Sequence, residues 1–254
     1  MFVVAHPGHE LRAHHLLERV RPVVAVLTDG SGSTSTPRID QSRSVLARIG
    51  GSPAAVFGSL SDRDAYDALM SGRTNRFGAL VDAIADEVLA RGVTAIVIDA
   101  AEGYNPIHDV CHWIGRSAIS RVVDQNRAID AFELDLVGHP EGDGPGVRLA
   151  LDDDAFTRKL AAITAYPALA GEAAAAFEQY GRDAFRTEFL RHVEPAPIPP
   201  ASWVPYYETV GEARVRSGLY SSVLRYGAHV RPILEALTSR GVQPDEDALR
   251  PAHQ

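Results

Sequence analysis

The chain has 254 residues, of which 45% are hydrophobic, and its formal net charge is −8 at pH 7. This length suffices for one sizeable α/β domain. No stretch approaches the roughly 20 consecutive apolar residues that a membrane-spanning helix needs. An acidic chain also lacks the basic face that attracts nucleic acid or anionic membranes. The composition therefore favours a protein that acts on a small molecule, and it leaves homo-oligomer formation open.

The N-terminal residues and the cysteine content both bear on the cellular compartment. The start of the chain has neither a basic lead nor the apolar segment of a secretory signal. Its single cysteine, Cys111, excludes an intrachain disulfide and is typical of a reducing compartment. We therefore expect a cytoplasmic protein.

Short apolar runs alternate with helical patterns through the first half of the chain. The runs that predict strands are MFVVA, PVVAVLTDG and VTAIVIDA, with AAVFG as a weaker one. The segments that predict helices between them are LRAHHLLERVR, PRIDQSRSVLARIG and RFGALVDAIADEVLARG. This alternation predicts an α/β fold with a doubly wound, mostly parallel sheet of the Rossmann-like kind.

After about residue 130 the pattern changes. AFELDLVG and GVRLALD predict strands, and residues 152–178 predict one long helix. The proline-rich EPAPIPPASWVP is typical of an extended connector, and the last segment is again helical. We expect a single domain over residues 1–254, with a core over about 1–130 and a C-terminal elaboration over about 131–254.

A polar segment follows each of three predicted strands. These segments are AHPGHE, TDGSGS and DAAEGYNPIHDVCH. In doubly wound sheets ligands bind beyond the carboxyl ends of the strands, so these segments should meet. His6 and His9 lie in the first of them. In the last, a helix beginning near Pro106 would place His108 and His112 on one face.

This arrangement of histidines indicates a metal site. Three imidazoles and a water form a recognised open zinc site, in which the water is acidified to a pKa of roughly 7. Two sets of ligands are compatible with the spacing. One combines His6 and His9 with a histidine of the later segment, and the other is an H-x-x-x-H pair of His108 and His112 around Asp109.

Together VVAHPGHE, LTDGSG, DAAEGYNPIHD and the tail YYETVGEARVRSGLYSSVLRYGAHVRP resemble the PIG-L/LmbE-like metal-dependent de-N-acetylases over nearly the whole chain. The resemblance implies a zinc-dependent hydrolase acting on an N-acyl amino sugar or a related polar metabolite, with another divalent transition metal as the alternative to zinc. Carried over by position, it implies that His6, His9 and His108 bind the metal. The residues then expected to contact substrate are Asp29, Asn105 and His112, with turn capping as the alternative for Asp29.

One departure from the family pattern concerns catalysis. Where the family motif A-H-P-D-D-E has its general base, this chain has Gly8, which carries no side chain. General-base assistance is typically worth about 10² to 10⁴-fold. Glu102 and Asp109 flank His108 and are the expected replacements, with orientation of an imidazole as the alternative role for each. Asp29 is the next candidate. The alternative is a catalytically altered member that performs another metal-dependent reaction or only binds a ligand. A nucleotide-binding domain is disfavoured because no strand end carries G-x-G-x-x-G.

Overall fold

A computed structural model of the chain describes residues 1–32 and 36–239. A seven-stranded sheet with the order β3-β2-β1-β4-β5-β7-β6 forms its centre. The strands are β1 (Phe2–Val4), β2 (Val23–Thr28), β3 (Ser52–Leu60), β4 (Ala95–Asp99), β5 (Asp130–Leu134), β6 (Val147–Ala150) and β7 (Thr187–His192).

The described ranges also contain nine α-helices. These are α1 (His14–Val20), α2 (Ile39–Ile49), α3 (Asp62–Met70), α4 (Thr74–Arg91), α5 (Pro106–Asp124), α6 (Asp153–Thr164), α7 (Ala170–Tyr180), α8 (Tyr206–Arg216) and α9 (Arg231–Thr238). No single helix in these ranges is long and apolar enough to cross a membrane, although the bent pair Asp153–Thr164 and Pro167–Tyr180 meets that test by length and composition together.

The first five strands of the sheet order are parallel, and β7 and β6 are antiparallel additions at one edge. Strand β1 lies between β2 and β4, and all three of its residues are buried. Val3 packs with α4 and α5 on one face, whereas Phe2 and Val4 pack with α1 and α2 on the other. Both faces are thus covered by helices, as parallel sheets require, and the prediction of a doubly wound, mostly parallel sheet is confirmed.

The strand order determines where ligands can bind. From β1 the chain moves outward to β2 and β3, and it then returns to place β4 on the other side of β1. The carboxyl ends of β1 and β4 therefore flank the topological switch point, where the connections leave a crevice. His6 and His9 follow β1, and His108 follows β4, so the fold brings the two histidine segments to this crevice.

The structure differs from the sequence expectation in three places. Residues 152–178 form two helices bent by 87°, because the residue before Pro167 is disfavoured in a helix. Strand β7 was not predicted, and it separates the two predicted strands β5 and β6. Helix α3 was also missed. Residues 33–35 of the predicted Gly/Ser/Thr loop lie outside the described ranges, and the division into core and elaboration stays a prediction.

A buried ion pair anchors the helix that follows the first histidine segment. The Glu188 carboxylate accepts the backbone N–H groups of His15 and Leu16, each at 2.8 Å, at the start of α1. Lys159 Nζ donates to Glu188 Oε1 at 3.0 Å and to the carbonyl oxygen of Arg12 at 2.9 Å. Strand β7 and helix α6 therefore fix the end of the segment that carries His6 and His9.

The anchor predicts a large loss of stability in Glu188→Gln. The change leaves the buried Lys159 ammonium without its opposite charge, and breaking one side of a buried pair typically costs about 3–5 kcal/mol. Urea unfolding of the variant would measure this loss. Glu178→Gln makes the same chemical change at an exposed site of α7 and serves as the matched control. Equal free energies of unfolding for the two variants would contradict the anchoring role.

Candidate metal centre

A tight loop after β1 positions His6 and His9. Gly8 between them has φ +105, a conformation that residues with a side chain rarely adopt. The Gly8 N–H donates to Oε2 of the buried Glu10 at 2.7 Å, and a short 3₁₀ helix then begins at His9. The loop therefore reverses within a few residues, and both imidazoles lie on the crevice side of the strand.

His108 comes from the first turn of α5. The helix begins at Pro106, and the Asn105 side chain caps it by accepting the Ile107 N–H at 2.8 Å. Proline at the first helical position and asparagine at the cap are both preferred, so the sequence specifies this helix start. The His108 ring then lies 5.1 Å from the His6 ring and 4.6 Å from the His9 ring, measured between centroids.

The three rings form a compact cluster, since the centroids of His6 and His9 are 5.4 Å apart. Imidazole nitrogens about 2.1 Å from a tetrahedral zinc ion would place the ring centroids about 5 Å apart. Among the described residues, no group of three or more His, Cys, Asp or Glu side chains is arranged to hold a metal ion as it stands. The distances between the ring centroids are nevertheless those that a shared metal ion would give.

Carboxylates hold the outer nitrogens of two of these rings. His9 Nδ1 lies 2.8 Å from Oδ2 of Asp99, and His6 Nδ1 lies 3.2 Å from Oδ1 of Asp62 and 2.7 Å from Thr28 Oγ1. An ionised carboxylate can only accept, so Nδ1 is the donor in each of these contacts. Metal-ligating histidines are usually oriented by such partners.

Two ring nitrogens of the cluster lack partners. His6 Nε2 and His108 Nδ1 are buried without a hydrogen bond. Burial, together with the neighbouring imidazoles, lowers the pKa of His9 and of His108 well below the usual value, which keeps these rings neutral. Neutral imidazoles with buried, unpaired nitrogens fit a divalent metal ion as a ligand set.

Asp62 is the charged group beside this cluster. Burial opposes its ionisation, but its contacts with His6 outweigh that effect and hold the pKa of Asp62 below its usual range. The N–H of Gly32 also donates to its Oδ2 at 2.5 Å. Asp62 therefore supplies a negative charge next to His6, which favours a cation at the cluster.

The two candidate bases differ in how their carboxyl oxygens are used. Glu102 accepts the backbone N–H groups of Leu136 and Val137 at 3.0 Å, which joins the segment after β4 to the segment after β5. Asp109 accepts the Gly103 N–H on Oδ1, and its Oδ2 is buried without a partner. Burial raises the pKa of each carboxyl group to about 7.

The three expected substrate contacts are all engaged within the protein. Asp29 Oδ1 accepts the Ser31 N–H at 2.9 Å, as expected if Asp29 caps this turn. Asn105 caps α5 through Oδ1. His112 is buried one turn beyond His108, with its Nδ1 3.1 Å from the carbonyl oxygen of Asp99. Whether any of these side chains contacts substrate stays a prediction.

The orienting residues Thr28, Asp62 and Asp99 were not selected from the sequence. Thr28 and Asp99 are the last residues of β2 and β4, and Asp62 lies just beyond the end of β3. All three thus lie at carboxyl ends of parallel strands, where ligand sites are expected. Polar residues at these ends were the signal that could have identified them.

Comparisons with known proteins give one informative match. No family model matches the chain, and no match was found among curated proteins. The fold is similar to a crystal structure described as a deacetylase triple mutant (Orf2*T) involved in the teicoplanin biosynthetic pathway. The TM-score is 0.51 at 13% identity, and the match covers 77% of this chain and 99% of that one. At this identity the likeness shows a shared fold alone.

The pKa of Glu102 predicts a pH dependence of stability. Because burial raises this pKa to about 7, the folded protein retains a proton that the unfolded chain has already released. The Glu102 contribution to the free energy of unfolding is therefore present at low pH and is lost as the pH rises through about 7.

Urea unfolding of the metal-free protein at about pH 6 and about pH 8 tests this sign. The wild type should lose more stability across this interval than Glu102→Gln, because contributions from the histidines are common to both proteins and cancel. Glu178→Gln should follow the wild type. Parallel behaviour of Glu102→Gln and the wild type would contradict a raised pKa.

Proposed function

We propose that the chain is a zinc-dependent hydrolase of the de-N-acetylase type, which removes the acyl group from an N-acyl amino sugar or a related polar metabolite. The observation that carries the proposal is the cluster of His6, His9 and His108, with carboxylates on the outer nitrogens of two rings. The deacetylase with the same fold supports it. Another divalent transition metal is the alternative to zinc.

The roles of the protein groups follow from their contacts. His6, His9 and His108 would hold the ion, and Asp62 and Asp99 would keep two of the rings oriented. When bound, zinc supplies Lewis acidity to the substrate carbonyl and acidifies a water. A structural zinc site more often uses several cysteines, and this chain has only Cys111, which favours a catalytic role.

Asp109 is the better of the two candidate proton acceptors. Both oxygens of Glu102 accept backbone N–H groups, so neither oxygen is left without a partner to receive a proton from substrate or water. Asp109 keeps one oxygen without a partner, and it follows His108 directly in α5. We assign the proton-accepting role to Asp109 on this difference in geometry.

One observation favours the alternative, a catalytically altered protein that performs another reaction or only binds a ligand. Gly8 has no side chain where the similar family has its base, and the space that a side chain would occupy there is filled by Leu169. A substrate would then meet an apolar group at the position of the missing base. Metal binding without hydrolysis would support this alternative.

Metal content after dialysis tests the ligand set. His6→Ala, His9→Ala and His108→Ala should each lose stoichiometric zinc, because a site with three protein ligands cannot lose one without a large loss of affinity. His112→Ala is the matched control from the same helix and should retain the metal, with at most the roughly 10 to 100-fold weakening typical of orienting residues. A metal-free His112→Ala beside a loaded His9→Ala would instead support the H-x-x-x-H pair.

Turnover tests the hydrolase assignment. The zinc-loaded protein should release acetate from at least one member of a panel of N-acetyl amino sugars. Asp109→Asn should retain zinc and lower turnover by about 10²-fold or more, as expected for a base, whereas Glu102→Gln should keep most of its turnover. A folded, zinc-loaded wild type that hydrolyses no member of the panel would contradict the proposal and favour the altered protein.

A further inference from the structure

The side chain of Leu169 rests on the backbone of Gly8. A Cβ atom built at Gly8 would lie 2.2 Å from Leu169 Cδ1 and 3.2 Å from its Cγ. Both distances are shorter than an ordinary carbon contact, so the isobutyl group fills the space beside Gly8. Because Gly8 lies between His6 and His9 in the sequence, Leu169 packs against the loop that carries both histidines.

Contacts with α2 hold Leu169 in place. It ends the 3₁₀ turn Pro167–Leu169 between α6 and α7. The hydroxyl of the buried Tyr166 lies 3.1 Å from Ser42 Oγ, and the N–H of Ala168 donates to Gln41 Oε1 at 3.3 Å. Leu169 itself is only partly buried.

The other sides of the cluster are polar. Asp62 and Thr28 lie against His6, and Asp99 lies against His9. Leu169 is the apolar side chain that packs against the loop carrying His6 and His9. A bound N-acyl compound has an alkyl group on one side of its carbonyl carbon and a polar amine substituent on the other, and burial of the alkyl group favours contact with an apolar side chain.

We propose that Leu169 is a specificity-determining residue that contacts the alkyl part of the acyl group and restricts it to short chains. This inference rests on the proposed function, because it requires an acyl compound at the metal. One methylene more or less in a hydrophobic pocket changes discrimination by about 10 to 200-fold. Shortening Leu169 should therefore admit longer acyl groups.

Acetohydroxamic acid and hexanohydroxamic acid are suitable probes, since each combines a metal-binding group with an acyl chain. Calorimetry on the zinc-loaded proteins would give both affinities. Leu169→Ala should raise the affinity for hexanohydroxamic acid relative to acetohydroxamic acid by about tenfold or more. Leu160→Ala is the matched control, because Leu160 packs in a different apolar cluster, and it should keep the wild-type ratio.

The outcomes distinguish the role of Leu169 from the proposed metal-dependent hydrolase activity. A ratio in Leu169→Ala equal to that of the wild type would overturn the role of Leu169 while leaving the metal centre intact. Hydroxamates that bind as expected to a protein without turnover would support Leu169 and contradict the hydrolase alone. Failure of both hydroxamates to bind any zinc-treated protein would overturn the metal centre and this inference together.

A second measurement needs no metal. Gly8→Ala should lower the melting temperature less in a Leu169→Ala background than in the wild type, because the added methyl group then meets no isobutyl group. The strain of the positive φ is present in both backgrounds and cancels. Equal effects of Gly8→Ala in the two backgrounds would show that Leu169 does not fill this space and would overturn the proposal.

Discussion

The buried carboxylate of Asp99 is the group on which the geometry of the crevice depends. It is the last residue of β4, it is fully buried, and its Oδ2 accepts both the Ala5 N–H at 2.7 Å and His9 Nδ1 at 2.8 Å. One side chain thus joins the end of β4 to the loop after β1 and orients an imidazole. Burial raises the pKa of Asp99 to about 7, so its ionised form depends on these donors.

Much of the fold follows from local sequence pattern. Apolar runs alternating with helical periodicity predict a parallel doubly wound sheet, and the positions of β1 and β4 then follow from the way such sheets wind. The local pattern does not reveal β7, because this strand is defined by its pairing with β5 and β6, which are distant from it in the sequence. Pro167 predicts a helix break after Tyr166, but the helical periodicity on both sides of the proline led to the expectation of one long helix.

For the candidate centre, too, the sequence identified residues at strand ends but not the contacts between distant segments. His6, His9 and His108 were selected from the sequence because they follow the ends of predicted strands, and the structure places their rings together. Their orienting partners, such as Asp62, come from other strand ends, and no local motif links them to a given histidine. Leu169 lies far along the chain from Gly8, so only the folded structure reveals that a leucine fills the place of the missing base.

The central claim is that three imidazoles at the switch point bind one metal ion. A crystal structure of the zinc-treated protein, with an anomalous difference map at the zinc edge, tests this claim most directly. Binding of one ion by all three rings predicts one strong peak about 2.1 Å from a ring nitrogen of each of His6, His9 and His108. A peak shared by His108 and His112, or no peak at the cluster in a fully zinc-treated crystal, would contradict it.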